Sequence, residues 1–243
     1  MKYTNIHNLP ESLVNCIEND TYDLNQADPN IISVTTLISE PKIRQLKVRH
    51  WNEIEEDISD KIWILLGQSV HSILDRVNID NSLKEERITV DVNGIKISGK
   101  SDLFYKETIL DYKVTSVWSI IYNPEGKKEW EEQLNCYAWL YRKLGFTVKG
   151  LKIIGILRDW SMRDLRKSKK NYPKIPVSVI DIQLWSEEEQ EAFIKERIEE
   201  HQKYISVPDD EIPCCKETWN DKRCKDYCSV NKFCNYYNKL IKG

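Results

Sequence analysis

Residues 87–114 read RITVDVNGIKISGKSDLFYKETILDYKV, and this stretch decides the fold. Apolar and polar residues alternate from Arg87 to Val92 and again from Ile95 to Ser98. Between the two runs stands Asn93-Gly94, a pair suited to a two-residue hairpin turn because both residues adopt positive φ at low cost. A second hairpin is predicted around Lys106-Glu107, joining a strand over 101–105 to one over 108–114. Symmetric pairing about that turn sets Phe104 opposite Ile109, and Asp102 opposite Asp111. Directly opposed side chains leave a sheet on one face, about 5 Å apart at Cβ. Strand alternation brings Lys113 to the same face.

Two like charges facing each other destabilise a sheet, so this pair calls for a cation. A hard divalent ion such as Mg²⁺ or Mn²⁺ meets the need, because it takes oxygen ligands. A neighbouring lysine can steer water or offset charge building on a phosphate. These are the parts of metal-assisted phosphodiester hydrolysis. The short D-x-K pattern is equally that of a solvated strand face, with Lys113 neutralising Asp111.

The flanks narrow the reading. Residues 61–77 place Ile62, Leu65, Leu66, Val70, Ile73, Leu74 and Val77 at helical spacing, with Gly67 and His71 on one face. Residues 34–51 form an earlier helix that Pro41 starts or bends, and residues 1–30 form an irregular lead-in or a short helix. Downstream, 129–144 is a helix with Gly145 at its C-terminal cap. Residues 151–157 are an apolar run of the kind buried on both faces of a sheet. Residues 177–185 alternate as a strand, and Ser186 with Glu189 makes a capping box that opens a helix to about Tyr204. Gln133 shares a helical stripe with Tyr137, Leu140 and Leu144, which turns its amide inward, where it needs partners. The order implies an α/β fold, a mixed central sheet flanked by helices with a small cysteine-rich C-terminal cap. The expected division is a lead-in over 1–33, a core over 34–207 and a tail over 208–243.

Four motifs follow one another: Gly67-x-x-x-His71, Gly99-Lys100-Ser101-Asp102, Asp111-Tyr112-Lys113 and Gln133-x-x-x-Tyr137. Together they resemble the RecB-type branch of the PD-(D/E)XK nuclease superfamily. That branch includes the RecB and AddB nuclease domains, CRISPR-associated exonucleases with an iron–sulfur cluster, and many phage exonucleases. The resemblance runs from about Val34 to the C-terminus, and it implies a restriction-endonuclease-like core. It implies Mg²⁺ or Mn²⁺ held by His71, Asp102, Asp111 and the Tyr112 carbonyl, with Lys113 catalytic. Gln133 and Tyr137 then position the active site and the DNA strand. The implied activity is a DNA exonuclease of recombination, repair or phage DNA processing. Its substrate is single-stranded DNA or DNA with free ends, and a helicase or recombination protein is a possible partner. The alternative is a non-catalytic DNA-binding or scaffold subunit that retains the fold.

Of seven cysteines in 243 residues, five fall between 214 and 234. The N-terminus lacks the apolar core of a signal peptide, which points to the cytosol of a bacterium or a phage-infected cell. In that compartment clustered cysteines indicate a metal more than disulfides. Cys215, Cys224, Cys228 and Cys234, with Cys214 the other choice for Cys215, can hold a 4Fe–4S cluster or a zinc ion. The iron–sulfur nucleases use three C-terminal cysteines and one far upstream. Here Glu40-Pro41-Lys42 stands where they have Cys-Pro-Arg, which moves the fourth ligand to Cys214 or Cys215.

The net charge of −3 gives no general attraction to DNA. Seven basic residues between Arg158 and Lys174, offset only by Asp159 and Asp164, supply a local one. Arg163, Arg166, Lys167, Lys169 and Lys170 are the candidate DNA contacts, with Trp160 and Tyr172 placed to stack on bases. A solvated loop is the other reading. No apolar run approaches the roughly 20 residues of a membrane helix, so no membrane association is expected.

Overall fold

The structure, a computed structural model, describes residues 1–19, 30–84, 86–167, 171–216 and 218–242. In chain order the first elements are β1 (Lys2–Thr4), α1 (Glu11–Glu18), β2 (Ile31–Ser33), α2 (Val34–Leu37), α3 (Pro41–Arg49), β3 (Glu55–Asp57) and α4 (Ile58–Asp75). The sheet follows as β4 (Ser82–Lys84), β5 (Arg87–Val92), β6 (Ile95–Lys100), β7 (Leu103–Tyr105) and β8 (Thr108–Thr115). After these come α5 (Val117–Tyr122), α6 (Lys128–Lys143), β9 (Gly150–Leu157), α7 (Met162–Lys167), β10 (Val177–Ile182), α8 (Glu187–Lys203) and α9 (Asn235–Leu240). The chain forms two compact units, one of residues 30–34 and 64–192, the other of 1–29, 35–63 and 193–243. Contacts therefore group the N-terminal segment and the cysteine-rich tail with residues 35–63.

The first unit holds a mixed sheet in the order β10-β9-β8-β7-β4 and a smaller one in the order β2-β6-β5. Both hairpins form at the expected turns. Val92 pairs with Ile95 around Asn93-Gly94, and Tyr105 pairs with Thr108 around Lys106-Glu107. All four turn residues take positive φ, including Lys106 at 48° and Glu107 at 59°. Strand β8 runs parallel to β9, with Asp111 beside Ile153 and Thr115 beside Leu157.

The 106–107 hairpin ladder ends at Leu103–Leu110, one pair short of Asp102–Asp111. Asp102 lies instead on the bend at Ser101-Asp102, where the chain leaves the smaller sheet for the larger one. A strand that changes sheets must break its pairing at the crossing, so Asp102 is not a ladder residue.

Helix α6 crosses the sheets and buries Trp130, Leu134, Tyr137, Leu140 and Tyr141. Gly99 of β6 lets it approach: a Cβ there would meet Leu140 Cδ1 at 2.6 Å and Tyr137 Cε1 at 2.9 Å. Leu144, expected on the same inward stripe, is exposed beyond the helix end. The apolar run of β9 predicts burial on both faces; its residues alternate between buried and half-buried, so only one face is fully covered. Helix α4 departs further from expectation. Only Ile58 is buried, Leu66 and Ile73 are exposed, and Val77, also exposed, lies past the helix end at Asp75. The capping box forms in full, with Ser186 N–H donating to Glu189 Oε2 at 2.8 Å and Glu189 N–H to Ser186 Oγ at 3.1 Å.

In the second unit β1 pairs in parallel with β3. The expected long helix over 34–51 is broken into α2 and α3, because Pro41 starts a new helix. Leu46, Ile54 and Val230 form a core against which Met1, Ile43, Cys228, Phe233 and Cys234 pack. Lys42 is buried, and its ammonium donates to the Ile212 carbonyl at 2.7 Å and to Asn235 Oδ1 at 2.8 Å.

Candidate active site

Two hydrogen-bonded groups meet on β8. The first follows Asp111, which is 3% exposed and therefore a carboxylate carried into the sheet interior. Its Oδ2 lies 2.8 Å from Lys113 Nζ, two residues along the same face. The contact is one of charge; Oδ2 is buried without a well-directed hydrogen bond. Lys113 Nζ also donates to Gln133 Oε1 at 3.0 Å, and Gln133 Nε2 donates to the Tyr137 hydroxyl at 3.0 Å. The helical spacing of Gln133 and Tyr137 on α6 makes this chain possible, since residues four apart share a face. Both ends of the Gln133 amide are thus used, as its inward position requires.

The second group surrounds Asp102. Its Oδ2 accepts the Tyr112 backbone N–H at 2.6 Å, and its Oδ1 is 3.1 Å from His71 Nδ1. A cross-sheet contact thus fixes the bend residue after all, through the backbone of β8. The pairing predicted between Asp102 and Asp111 is replaced by one between Asp102 and the Tyr112 amide. A small pocket opens on this side, lined by His71, Asp102 and Tyr112, with Leu74, Ile79 and Leu103 as apolar walls.

Electrostatics joins the groups. Burial pushes the Asp111 carboxyl up from its ordinary value, the Lys113 ammonium opposes this, and the Asp102 charge adds to it. His71 is also within electrostatic reach of Asp111. A buried carboxylate near a second carboxylate, served by one lysine, holds less positive charge than it can use. The donors are carboxylate oxygens and an imidazole, a set that suits Mg²⁺ or Mn²⁺. Asp111 Oδ2, which has the Lys113 ammonium beside it but no well-directed hydrogen bond, is the atom such an ion would share. Among the described residues, no three histidine, cysteine or acidic side chains are already close enough to share one ion.

Cys215, Cys224, Cys228 and Cys234 are all free thiols, as is the exposed Cys214. Cys215, Cys228 and Cys234 lie within one another's electrostatic reach, and Cys224 within that of Cys214, Cys228 and Cys234. Burial first, then Glu40, pushes the Cys215 thiol up to about 12. The Lys216 N–H donates to Glu40 Oε1 at 3.0 Å, which brings the 214–216 segment to the residue standing in place of the upstream cysteine.

Arg163, Arg166 and Lys167 are exposed on α7. Lys169 and Lys170 lie outside the described residues. Trp160 and Tyr172 are each half-buried and bonded at the polar edge of the ring. Trp160 Nε1–H donates to the Pro173 carbonyl at 2.8 Å, and the Tyr172 hydroxyl accepts the Ser161 N–H at 3.0 Å, so both tie the segment to itself.

No protein-family model and no curated protein matches the chain. Among solved structures, the crystal structure of SSO0001 aligns over 93% of this chain and 92% of its own, with a TM-score of 0.56 and 18% identity. This likeness is one of fold. A phage-related exonuclease from Haemophilus somnus 129PT aligns over 69% of this chain and 72% of its own (TM-score 0.35, 20% identity). An alkaline exonuclease, LHK-Exo, from Laribacter hongkongensis aligns over 72% and 90% (TM-score 0.41, 11% identity). Among the described residues no helix is long and apolar enough to cross a membrane.

Proposed function

We propose that the protein is a divalent-metal-dependent deoxyribonuclease of the PD-(D/E)XK type, acting as an exonuclease in DNA recombination, repair or phage DNA processing. The observation that carries this reading is the buried Asp111 carboxylate. Its Oδ2 is paired with Lys113, at the end of the Tyr137–Gln133–Lys113 chain. A purely structural ion pair would not need its lysine also held by the half-buried Gln133 amide, itself bonded to the Tyr137 hydroxyl. His71, Asp102, Asp111 and the Tyr112 carbonyl would hold the Mg²⁺ or Mn²⁺ ion, which supplies Lewis-acid stabilisation to the phosphate when bound. Lys113 presents a fixed ammonium to the charge that develops on the phosphate, and Gln133 keeps it from swinging away. Preorganised charge of this kind contributes a large share of catalysis.

Digestion of end-labelled single- and double-stranded DNA tests the reading. Cleavage is expected with Mg²⁺ or Mn²⁺ and not with EDTA, and Lys113→Met should lower it by about two orders of magnitude or more. Lys113→Met cutting at the wild-type rate contradicts the assignment. Wild-type protein that binds DNA but never cuts it would favour a scaffold role instead.

In the same reading, Cys215, Cys224, Cys228 and Cys234 hold a 4Fe–4S cluster, with zinc as the other occupant. Metal analysis and the absorption spectrum of anaerobically purified protein separate the two. Iron with a broad visible band is expected; protein without iron, zinc or colour would remove the site from the proposal.

A further inference from the structure

We propose that Trp118 and Tyr122 on α5 form a base-stacking platform for single-stranded DNA, with Arg163, Arg166 and Lys167 of α7 holding its phosphates. The inference rests on the nuclease reading for its substrate, and it assigns residues which that reading does not use.

Helix α5 follows directly on the strand that carries Asp111 and Lys113. It buries Val117 and Ile120, and its N-terminus is capped by Ser116 Oγ, which accepts the Ser119 N–H at 3.2 Å. Its other side presents Trp118 and Tyr122, 55% and 75% exposed, with stacked rings 5.9 Å apart. Two aromatic faces left in water at helical spacing are costly unless something covers them.

The charge on the segment tied to the start of α5 points to what does. Because β8 and β9 are parallel, their C-terminal ends lie side by side at Thr115 and Leu157. The α5 and Arg158 segments that leave those ends are tied together. Arg158 N–H donates to the Thr115 carbonyl at 3.0 Å, and Val117 N–H donates to Asp159 Oδ1 at 2.7 Å. The second bond turns one of the segment's two acids toward the start of α5. Helix α7 then begins with exposed Arg163, Arg166 and Lys167 against a single acid, Asp164. Exposed aromatic rings on α5, with a basic helix three residues beyond the segment tied to its start, match unpaired nucleotides, whose bases offer free π-faces and whose phosphates need cations. Duplex DNA hides those faces within its own stack. Thr115 is two residues past Lys113, roughly 7 Å along the strand, so a strand held here leads toward the proposed site. Trp160 and Tyr172 are less open, each half-buried and tied at its polar edge within its own segment.

Fluorescence anisotropy with a labelled oligothymidylate, an abasic oligomer of equal length and a duplex, in Ca²⁺ in place of Mg²⁺, tests the platform. Trp118→Ala should weaken oligothymidylate binding about tenfold while leaving abasic and duplex binding unchanged. Trp118→Phe should keep most of the affinity. The Arg166→Ala/Lys167→Ala double variant should weaken all three and flatten the salt dependence. Circular dichroism establishes that each variant is folded. Unchanged oligothymidylate binding by Trp118→Ala, equal losses for oligothymidylate and the abasic oligomer, or no oligothymidylate binding by the wild type overturns the proposal. The two readings fail separately: a wild type that binds this way but never cuts loses the nuclease, not the platform. A Trp118→Ala variant that cuts single strands with unchanged KM loses the platform, not the nuclease.

Discussion

Gln133 uses both ends of its amide, accepting from Lys113 and donating to Tyr137, so its value lies in where it holds the lysine. Gln133→Ala is expected to lower single-turnover cleavage about 10- to 100-fold with little change in melting temperature, because the ammonium loses its second anchor. Tyr137→Phe removes only the outer partner and should cost less. Equal activity of Gln133→Ala and wild type would show that Asp111 alone positions Lys113. Gly99 matters through the same residues, because an added Cβ would press on Leu140 and Tyr137. Gly99→Val should destabilise the fold by roughly 1–3 kcal/mol, read as a lower urea midpoint. A Gly99→Val midpoint equal to that of the wild type would mean that α6 relaxes freely away from β6.

Among the elements, the hairpins show what could be read from sequence. Their turn chemistry and alternation are local, and both form in the expected register. The 106–107 turn achieves it at some cost, since Lys106 and Glu107 both stand in the left-handed region. Replacing them by Asn and Gly should raise stability by about 1 kcal/mol, measured by chemical denaturation. No gain would mean that the contact of Glu107 with Lys149, 2.6 Å apart, offsets the strain. What depends on neighbours is not legible. The apolar spacing of α4 reads as a core face, yet only Ile58 is buried, because periodicity shows which side is apolar and not what covers it. The predicted place of Asp102 extends a ladder that stops one pair earlier, at the sheet crossing. The i, i+4 spacing of Trp118 and Tyr122 is visible in the sequence, but spacing alone does not say that both rings stay in water. The ordered motifs do name residues that come together, from His71 and Asp102 to Lys113, Gln133 and Tyr137.

At the scale of the whole molecule, each unit brings its own sensitivity. In the unit of residues 35–63 and 193–243, His201 is fully buried, and its Nε2 lies 3.0 Å from the Leu37 carbonyl. A neutral ring donating through Nε2 leaves Nδ1 as a bare acceptor, in keeping with the absence of a partner on that atom. Burial lowers its pKa from 6.5 to about 4. The unfolded chain therefore takes up a proton before the folded one does. The stability this histidine contributes is fully present above pH 6.5 and is lost as pH falls toward 4, by roughly 3 kcal/mol. Denaturation midpoints of wild type and His201→Gln across that window should converge as pH falls. A constant difference between them would mean that His201 does not titrate on unfolding. The other unit holds the proposed site, and the nuclease reading depends on it. The most direct test compares wild-type protein and Asp111→Asn on end-labelled DNA with Mg²⁺ or Mn²⁺, with circular dichroism to confirm equal folding. The substitution keeps the shape of the side chain but removes the charge that would bind the ion, so the variant should be folded and without detectable cleavage. A folded Asp111→Asn protein that degrades DNA at the wild-type rate would contradict the assignment.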